Sequence, residues 1–257
     1  MSSIERSFDN ASAESKRAPH ALRPLWFAVP LATLFALAGC ETPSATVKNT
    51  SHTYRTVVID AGHGGQDNGT RSRWGGTEKA AALDTALRIA PKLRAAGFNT
   101  VLTRNGDYFV PLDGRTRISN HQENAIFVSV HFNEGPNRKA HGVETYYHSP
   151  FAQELADRIE STVTSLPGVA SRGVKTANYR VLRNNEYPAV LIEGGFFSNP
   201  KEAARCATPA YREALASSIA NAIISERGPL QPAQSSSAVA TTASPAAAGP
   251  APLPATR

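Results

Sequence analysis

The 257-residue chain is 41% hydrophobic and 19% charged, which supplies enough apolar material for a core and too much for a disordered polymer. Lys and Arg total 27 against 21 Asp and Glu, a formal charge of +6, but no basic run and no nucleic-acid-binding motif accompanies the excess, so nucleic acid is not an expected partner. Two cysteines, Cys40 and Cys206, exclude a disulfide scaffold and a four-thiolate metal site.

The first apolar stretch, Leu25 to Ala38, has 14 residues and contains Pro30, short of the roughly 20 that a bilayer-spanning helix needs. It follows Lys16, Arg17 and Arg23 and ends in small residues, the layout of a secretory signal. Residues 1–39 are therefore expected to be a signal peptide. Leu37-Ala38-Gly39-Cys40 resembles the lipobox of bacterial lipoproteins, which implies a lipidated Cys40 that anchors the chain to a membrane. Glu41, where Asp would signal inner-membrane retention, makes the periplasm, anchored to the outer membrane, the expected address. Residues 40–53 read as the lipidated cysteine and a polar tether, and residues 54–227 as one domain. From Pro229 to Arg257, six prolines and nine alanines in 29 residues offer little to bury, so 228–257 is expected to be a disordered tail.

Within 54–227, short β-branched apolar runs predict strands at 55–60 (RTVVID), 99–103 (NTVLT), 125–130 (AIFVSV), 143–147 (VETYY) and 189–192 (AVLI). Leu83, Leu87, Ala90 and Arg94 recur at helical spacing from Glu78 to Ala96, with Gly97 as the stop and Pro91 as a point where the helix should kink or split. Ser149-Pro150 and Thr208-Pro209 read as helix starts ahead of Leu155, Ile159 and Val163 and of Tyr211, Leu215, Ile219 and Ile223. Alternating strands and helices predict a single three-layer α/β domain, a twisted, mostly parallel mixed sheet with helices on both faces.

Three predicted strands run into residues able to bind metal or move a proton: His63 in Ala61-Gly62-His63-Gly64-Gly65, His131 in His131-Phe132-Asn133, and Glu193 in Glu193-Gly194-Gly195. Ligands of open α/β sheets bind beyond the carboxyl ends of the strands, so these positions could share one crevice. Two histidines and a carboxylate suit zinc with a fourth position open for water, and a second carboxylate would take that water's proton. Glu78 and Glu193 are the candidates for these two roles, and spacing does not assign them. Asp60 and Asp67 read as residues that fix the ligand loop. His121, His141 and His148 read as surface or structural, and Cys206 as a packed thiol.

The motifs Val57 to Gly69, Glu78-Lys79, Leu102-Thr103-Arg104, Ser129 to Asn133, Gly142 to Tyr147 and Pro188 to Asn199, in that order, resemble the zinc-dependent N-acetylmuramoyl-L-alanine amidases of the type-3 amidase family. The resemblance implies that His63, Glu78 and His131 hold zinc, that Glu193 is the catalytic base, and that peptidoglycan is the substrate. Asn133 and Arg115 are candidates for orienting substrate or the groups that support the metal ligands, and Arg115, near Asp113 and Arg117, reads equally as a structural ion pair. Only Glu134 to His141 separate Asn133 from Gly142, too few residues for the autoinhibitory helix some cell-division members insert there. A monomer is expected, and any activator protein stays unidentified. The competing readings are a non-catalytic wall-binding lipoprotein and a zinc peptidase or deacetylase acting on another bond of the same polymer.

Overall fold

The computed structural model describes residues 46–227, so the expected signal peptide, Cys40 and the tail 228–257 lie outside the described residues. The strands are β1 (Thr56–Ala61), β2 (Arg71–Ser72), β3 (Gly76–Thr77), β4 (Asn99–Leu102), β5 (Ala125–Asn133), β6 (Val143–Tyr147), β7 (Ser171–Thr176) and β8 (Ala189–Phe196). The helices are α1 (Glu78–Ala95), α2 (Leu112–Asn120), α3 (Gln153–Thr164), α4 (Arg180–Arg183), α5 (Pro200–Cys206) and α6 (Pro209–Arg227). Six strands form one sheet in the order β4-β1-β5-β8-β6-β7, while β2 and β3 form a separate hairpin. Neighbours pair in parallel except for β6 against β8, so β6 and β7 run opposite to the other four. This is the expected mostly parallel mixed sheet in a single α/β domain.

The central strands are buried from end to end, which is why they read as continuous apolar runs rather than alternating ones. On one face Val57, Ile59, Val128, Val130, Val190 and Ile192 pack with Ile89 of α1, Ile159 of α3 and Leu215 of α6. On the other, a smaller cluster joins Val58, Phe127 and Leu191 to Val181 and Leu182 of α4, with Leu112 and Ile118 of α2 against it. That smaller cover stops at the level of Leu191. The next residue of β8 on the same face is Glu193, so the apolar layer gives way to a polar row at the carboxyl end of the sheet.

Several expectations need correction. β5 and β8 do not end before His131 and Glu193 but continue through them, with an irregularity in the pairing between His131 and Asn133. α1 is a single helix despite Pro91, and its buried stripe is Ala81, Ala82, Ala86, Ile89, Ala90 and Leu93, leaving Leu87 41% exposed. Residues 48–53 pack on the domain rather than tethering it: Lys48 N donates to Glu186 O at 2.8 Å and Thr50 Oγ1 to Ala125 O at 2.6 Å. Strand β7 and helices α2, α4 and α5 carry too little apolar pattern for the sequence to announce them. The helix starts at Ser149 and Thr208 are as expected, each side chain accepting a backbone N–H, although Ser149 opens a 3₁₀ turn (Pro150–Ala152) before α3.

One buried ion pair ties the loop after β1 to the sheet. Asp60 Oδ1 accepts from Arg115 Nη1 at 2.8 Å and Thr103 Oγ1 at 2.6 Å, and Oδ2 from Ser129 Oγ at 2.7 Å. Burial raises the cost of charge on Asp60, but Arg115 and these hydroxyls outweigh it and hold the carboxyl below its ordinary value. Asp60→Ala would leave a buried guanidinium unpaired, and its expected cost is about 3–5 kcal/mol by urea denaturation. With the folded value depressed, the contribution of Asp60 is fully present above its unfolded value of 3.8 and is lost as pH falls through the lower folded value. Wild-type stability should therefore decline below that point more steeply than that of Asp60→Ala.

Candidate functional site

His63 sits in the loop leaving β1, in the left-handed region at φ 59°, followed by Gly64 at 125° and Gly65 at 58°. Such a conformation costs a non-glycine residue of order 1–3 kcal/mol and persists only where the surroundings enforce it. Gly64 and Asp67 close the turn by exchanging backbone bonds of 2.9 and 3.1 Å. Two buried arginines clamp the loop by its carbonyls: Arg104 donates to Ala61 O, Gly62 O and Lys79 O, and Arg115 to Ala61 O and His63 O.

Glu78, the first residue of α1, is fully buried and faces both imidazoles. Its Oε1 lies 2.9 Å from His63 Nε2 and 2.9 Å from His131 Nδ1, and accepts from Phe132 N at 3.1 Å, while Oε2 accepts from Thr70 N at 2.9 Å. The His63 and His131 rings meet edge to face, 4.8 Å between centroids. Asp67 Oδ2 accepts from His63 Nδ1 at 2.8 Å, which orients the ring so that Nε2 points to Glu78. Nε2 itself, despite its proximity to Oε1, has no partner in hydrogen-bonding geometry, so a buried nitrogen is aimed at the group without being satisfied. One ligand atom from each of His63, Glu78 and His131 falls within 4.8 Å of the others, so the three could hold a metal ion. Two imidazoles and a carboxylate are the donor set of a site that keeps a position open for reaction.

Register places the fourth candidate beside them. His131 pairs with Glu193 across β5 and β8, and Glu193 pairs with Glu144 across β8 and β6, so the three residues form one row on one face of the sheet. Gly62 continues the row on the β1 side, and a Cβ there would lie 2.3 Å from His131 Cε1, so only glycine admits the imidazole. Glu193 is 2% exposed and its Oε2 has no hydrogen-bond partner among the described residues.

The electrostatics separate the carboxylates. Burial and then the charge of Glu78 raise Glu193 well above the carboxylate range. Glu78 is pushed up by burial but pulled further down by His63 and His131. Burial disfavours the charged form of His63, yet Glu78 and Asp67 lift it to about 10, while burial leaves His131 below its usual value.

Of the roles open to Arg115, the structure shows a supporting one, with Asp60 rather than Asp113 as its ion-pair partner. Arg115 is 3% exposed, and it donates to Val110 O, Asp60, Ala61 O and His63 O, so it supports the ligand loop instead of facing substrate. Asp113 pairs with Arg180, not with Arg115. Asn133 is buried two residues beyond His131, its Nδ2 donating to Glu144 at 2.9 Å. Cys206 is a buried thiol pushed up to about 12, first by burial. His121 and His141 are exposed and bonded to nearby carbonyls. His148 is half-buried, with Nδ1 3.2 Å from Ala177 O. The sequence reading gave no role to Arg104 or Glu144. Glu144 carries the same signal as Glu193, a carboxylate inside an apolar strand, and Arg104 stands in one of the motifs of the family resemblance, which marks its place without its role.

A family model described as N-acetylmuramoyl-L-alanine amidase matches residues 57–225. YqiI of Bacillus subtilis, an uncharacterised protein, is 34% identical over 207 residues, 79% of this chain and 97% of its own length. The N-acetylmuramoyl-L-alanine amidase LytC of the same organism is 33% identical over 66% of this chain, although the match spans only 35% of LytC. The solved structure of the N-acetylmuramoyl-L-alanine amidase AmiC2 of Nostoc punctiforme superposes with a TM-score of 0.64 at 36% identity, covering 66% of this chain and 95% of that one.

Two outcomes test the site. Glu78 and Asp67 favour the protonated form of His63, whereas a metal ligand must be deprotonated, so calorimetry at pH 7 in buffers of different ionisation enthalpy should report proton release on uptake of a divalent cation. Gly62→Ala should abolish stoichiometric uptake in the same titration, because the added methyl occupies the place of the His131 ring.

Proposed function

The chain belongs to the N-acetylmuramoyl-L-alanine amidase family matched over residues 57–225, and from that premise we propose that it is a zinc-dependent peptidoglycan hydrolase cutting the amide between N-acetylmuramic acid and the L-alanine of the stem peptide. The observation that carries the reading is the convergence of His63, Glu78 and His131 within 4.8 Å, with Glu193 paired beside His131. These residues are the ones that would hold zinc, and the fit is supported by the unsatisfied His63 Nε2 and by the donor set itself. When bound, zinc supplies a Lewis acid for the scissile carbonyl and the attacking water.

The protein's own groups supply the rest. Glu193, buried and without a partner on Oε2, accepts the proton of the attacking water as oxygen adds to the carbonyl carbon. As the carbon–nitrogen bond breaks, the protonated Glu193 returns that proton to the alanine nitrogen, which leaves as an amine. A raised affinity for protons suits both halves of this cycle, since the group must accept from water and then donate. Asp67 keeps His63 oriented throughout, and the arginine clamp keeps the loop in its left-handed turn.

The reading extends to the N-terminal region. Leu37-Ala38-Gly39-Cys40 supports cleavage before Cys40 and lipid attachment there, which would hold the enzyme in the periplasm, at the outer membrane, within reach of the wall. Residues 134–142, between β5 and β6, form turns without a helix, which supports a site that needs no plug removed before it acts.

Digestion of purified sacculi tests the proposal. The expected products are peptides with a free N-terminal alanine, identified by mass, formed in the presence of zinc and abolished by a chelator. Glu193→Gln is expected to slow release about 10²–10⁴-fold while retaining metal uptake. Sacculi that are bound but uncut by the zinc-loaded wild type would overturn the enzymatic reading in favour of a wall-binding role, and cleavage at another bond would point to a peptidase or deacetylase.

A further inference from the structure

Beyond Glu193 the row across the sheet ends in a second charged cluster that the proposed reaction does not use. Glu144, at the start of β6, is 3% exposed. Its Oε1 accepts from Arg172 Nε at 2.5 Å and Lys175 Nζ at 2.7 Å, and its Oε2 from Asn133 Nδ2 at 2.9 Å and the Tyr146 hydroxyl at 2.5 Å. Burial opposes charge on Glu144, but Arg172, Lys175 and Tyr146 outweigh it, so the carboxylate stays ionised and the two cations leave a surplus of one positive charge.

Both cations are held from a second direction. The Arg172 guanidinium lies 5.1 Å from the centroid of the Phe196 ring, and Lys175 Nζ 5.7 Å from that of Tyr146. Gly142, at φ 109°, makes room for Arg172, since a Cβ there would stand 3.0 Å from Arg172 Cγ. Yet the Arg172 and Lys175 side chains remain 41% and 39% exposed. A solvated surface cation loses side-chain freedom when it binds an anion, whereas these two have already been ordered by the buried carboxylate. A guanidinium held by Nε and still 41% exposed can turn a fork of donors outward that matches a carboxylate.

Glu144 lies two strands from His131 in the sheet order, a separation of about 10 Å at the usual strand spacing, or about three residues of extended peptide. We infer that Arg172 and Lys175, braced by Glu144, bind a free carboxylate on the second or third residue of the peptide released by the enzyme, and so select acidic stem peptides. This rests on the amidase reading above. Two sources share the chemistry: the α-carboxylate of a γ-linked glutamate at the second position, and the side-chain carboxylate of a diamino-dicarboxylic acid at the third.

Three synthetic N-acetylmuramoyl tripeptides separate them: Ala-isoglutamate-diaminopimelate, the isoglutamine counterpart, and the counterpart with lysine in third place. KM, kcat and calorimetric Kd are measured on the zinc-loaded full chain and on Arg172→Gln, Lys175→Gln and the double variant, with melting temperatures as a folding control. Removing the recognised carboxylate should raise KM of the wild type about tenfold with kcat within about threefold, and the double variant should lose that preference. Equal KM for all three substrates, or a preference that survives in the double variant, overturns the inference. So does a uniform loss of rate on every substrate together with a lowered melting temperature, the signature of a strut between β6 and β7. Should the wild type cleave none of them, the amidase reading falls, and the Kd values still decide whether a carboxylate is recognised.

Discussion

In a β-sheet a slip of one residue turns every side chain to the opposite face, and the site depends on the parallel register of β1, β5 and β8. With Ala61 opposite Val130 and His131 opposite Glu193, the same face receives Gly62, His131, Glu193 and Glu144 in sequence. Shifted by one, His131 would enter the core that holds Val130 and Phe132, and Glu193 the one that holds Ile192. The apolar residues that flank each polar one therefore help to specify the site, because a slip of one residue would turn Val57, Ile59, Val128, Val130, Val190 and Ile192 away from the face on which they pack together. Gly62 completes the constraint: the strand neighbouring His131 must have no side chain where the imidazole lies.

Alternation of apolar runs and helix starts was enough to read the sheet and the larger helical layer, since those elements are buried and their patterns are long. The elements that escaped, α2, α4, α5 and β7, are short and half-exposed, and their stability comes from contacts distant in sequence. Arg180 on α4 pairs with Asp113 on α2, and Ser119 with Asn185, neither of which leaves a periodic trace. For the site, His63, Glu78, His131 and Glu193 were legible because each interrupts an apolar or glycine-rich context. For Arg115 the sequence leaves substrate contact, support of the ligands and an ion pair all open, because an arginine near such a motif has no sequence mark that tells an inward guanidinium from an outward one. Only the geometry shows it spent on Asp60 and on loop carbonyls.

Three buried glutamates in this small region have been driven apart by their surroundings. Glu78 faces two imidazoles and stays ionised, and Glu144 faces two cations and does the same, while Glu193, between them in space, meets burial and negative charge and holds its proton more tightly. The split matches the roles proposed above, an anionic ligand at Glu78 and a proton carrier at Glu193, and leaves Glu144 as a charged partner of Arg172 and Lys175. A row of acidic residues with identical environments could not divide the labour this way.

The strain at His63 belongs to the same economy of position. Holding an imidazole at φ 59° is unfavourable in isolation, and the two arginines that enforce it spend buried guanidinium donors on backbone carbonyls, a desolvation cost in its own right. Neither expense improves the core. What both achieve is a loop pinned by its carbonyls in a turn that aims His63 Nε2 at Glu78. Relaxation of the loop would relieve the turn and carry His63 away from Glu78 and His131, so local strain and the convergence of the three side chains are opposed, and Asp60 with Arg115 is where the fold resolves that opposition.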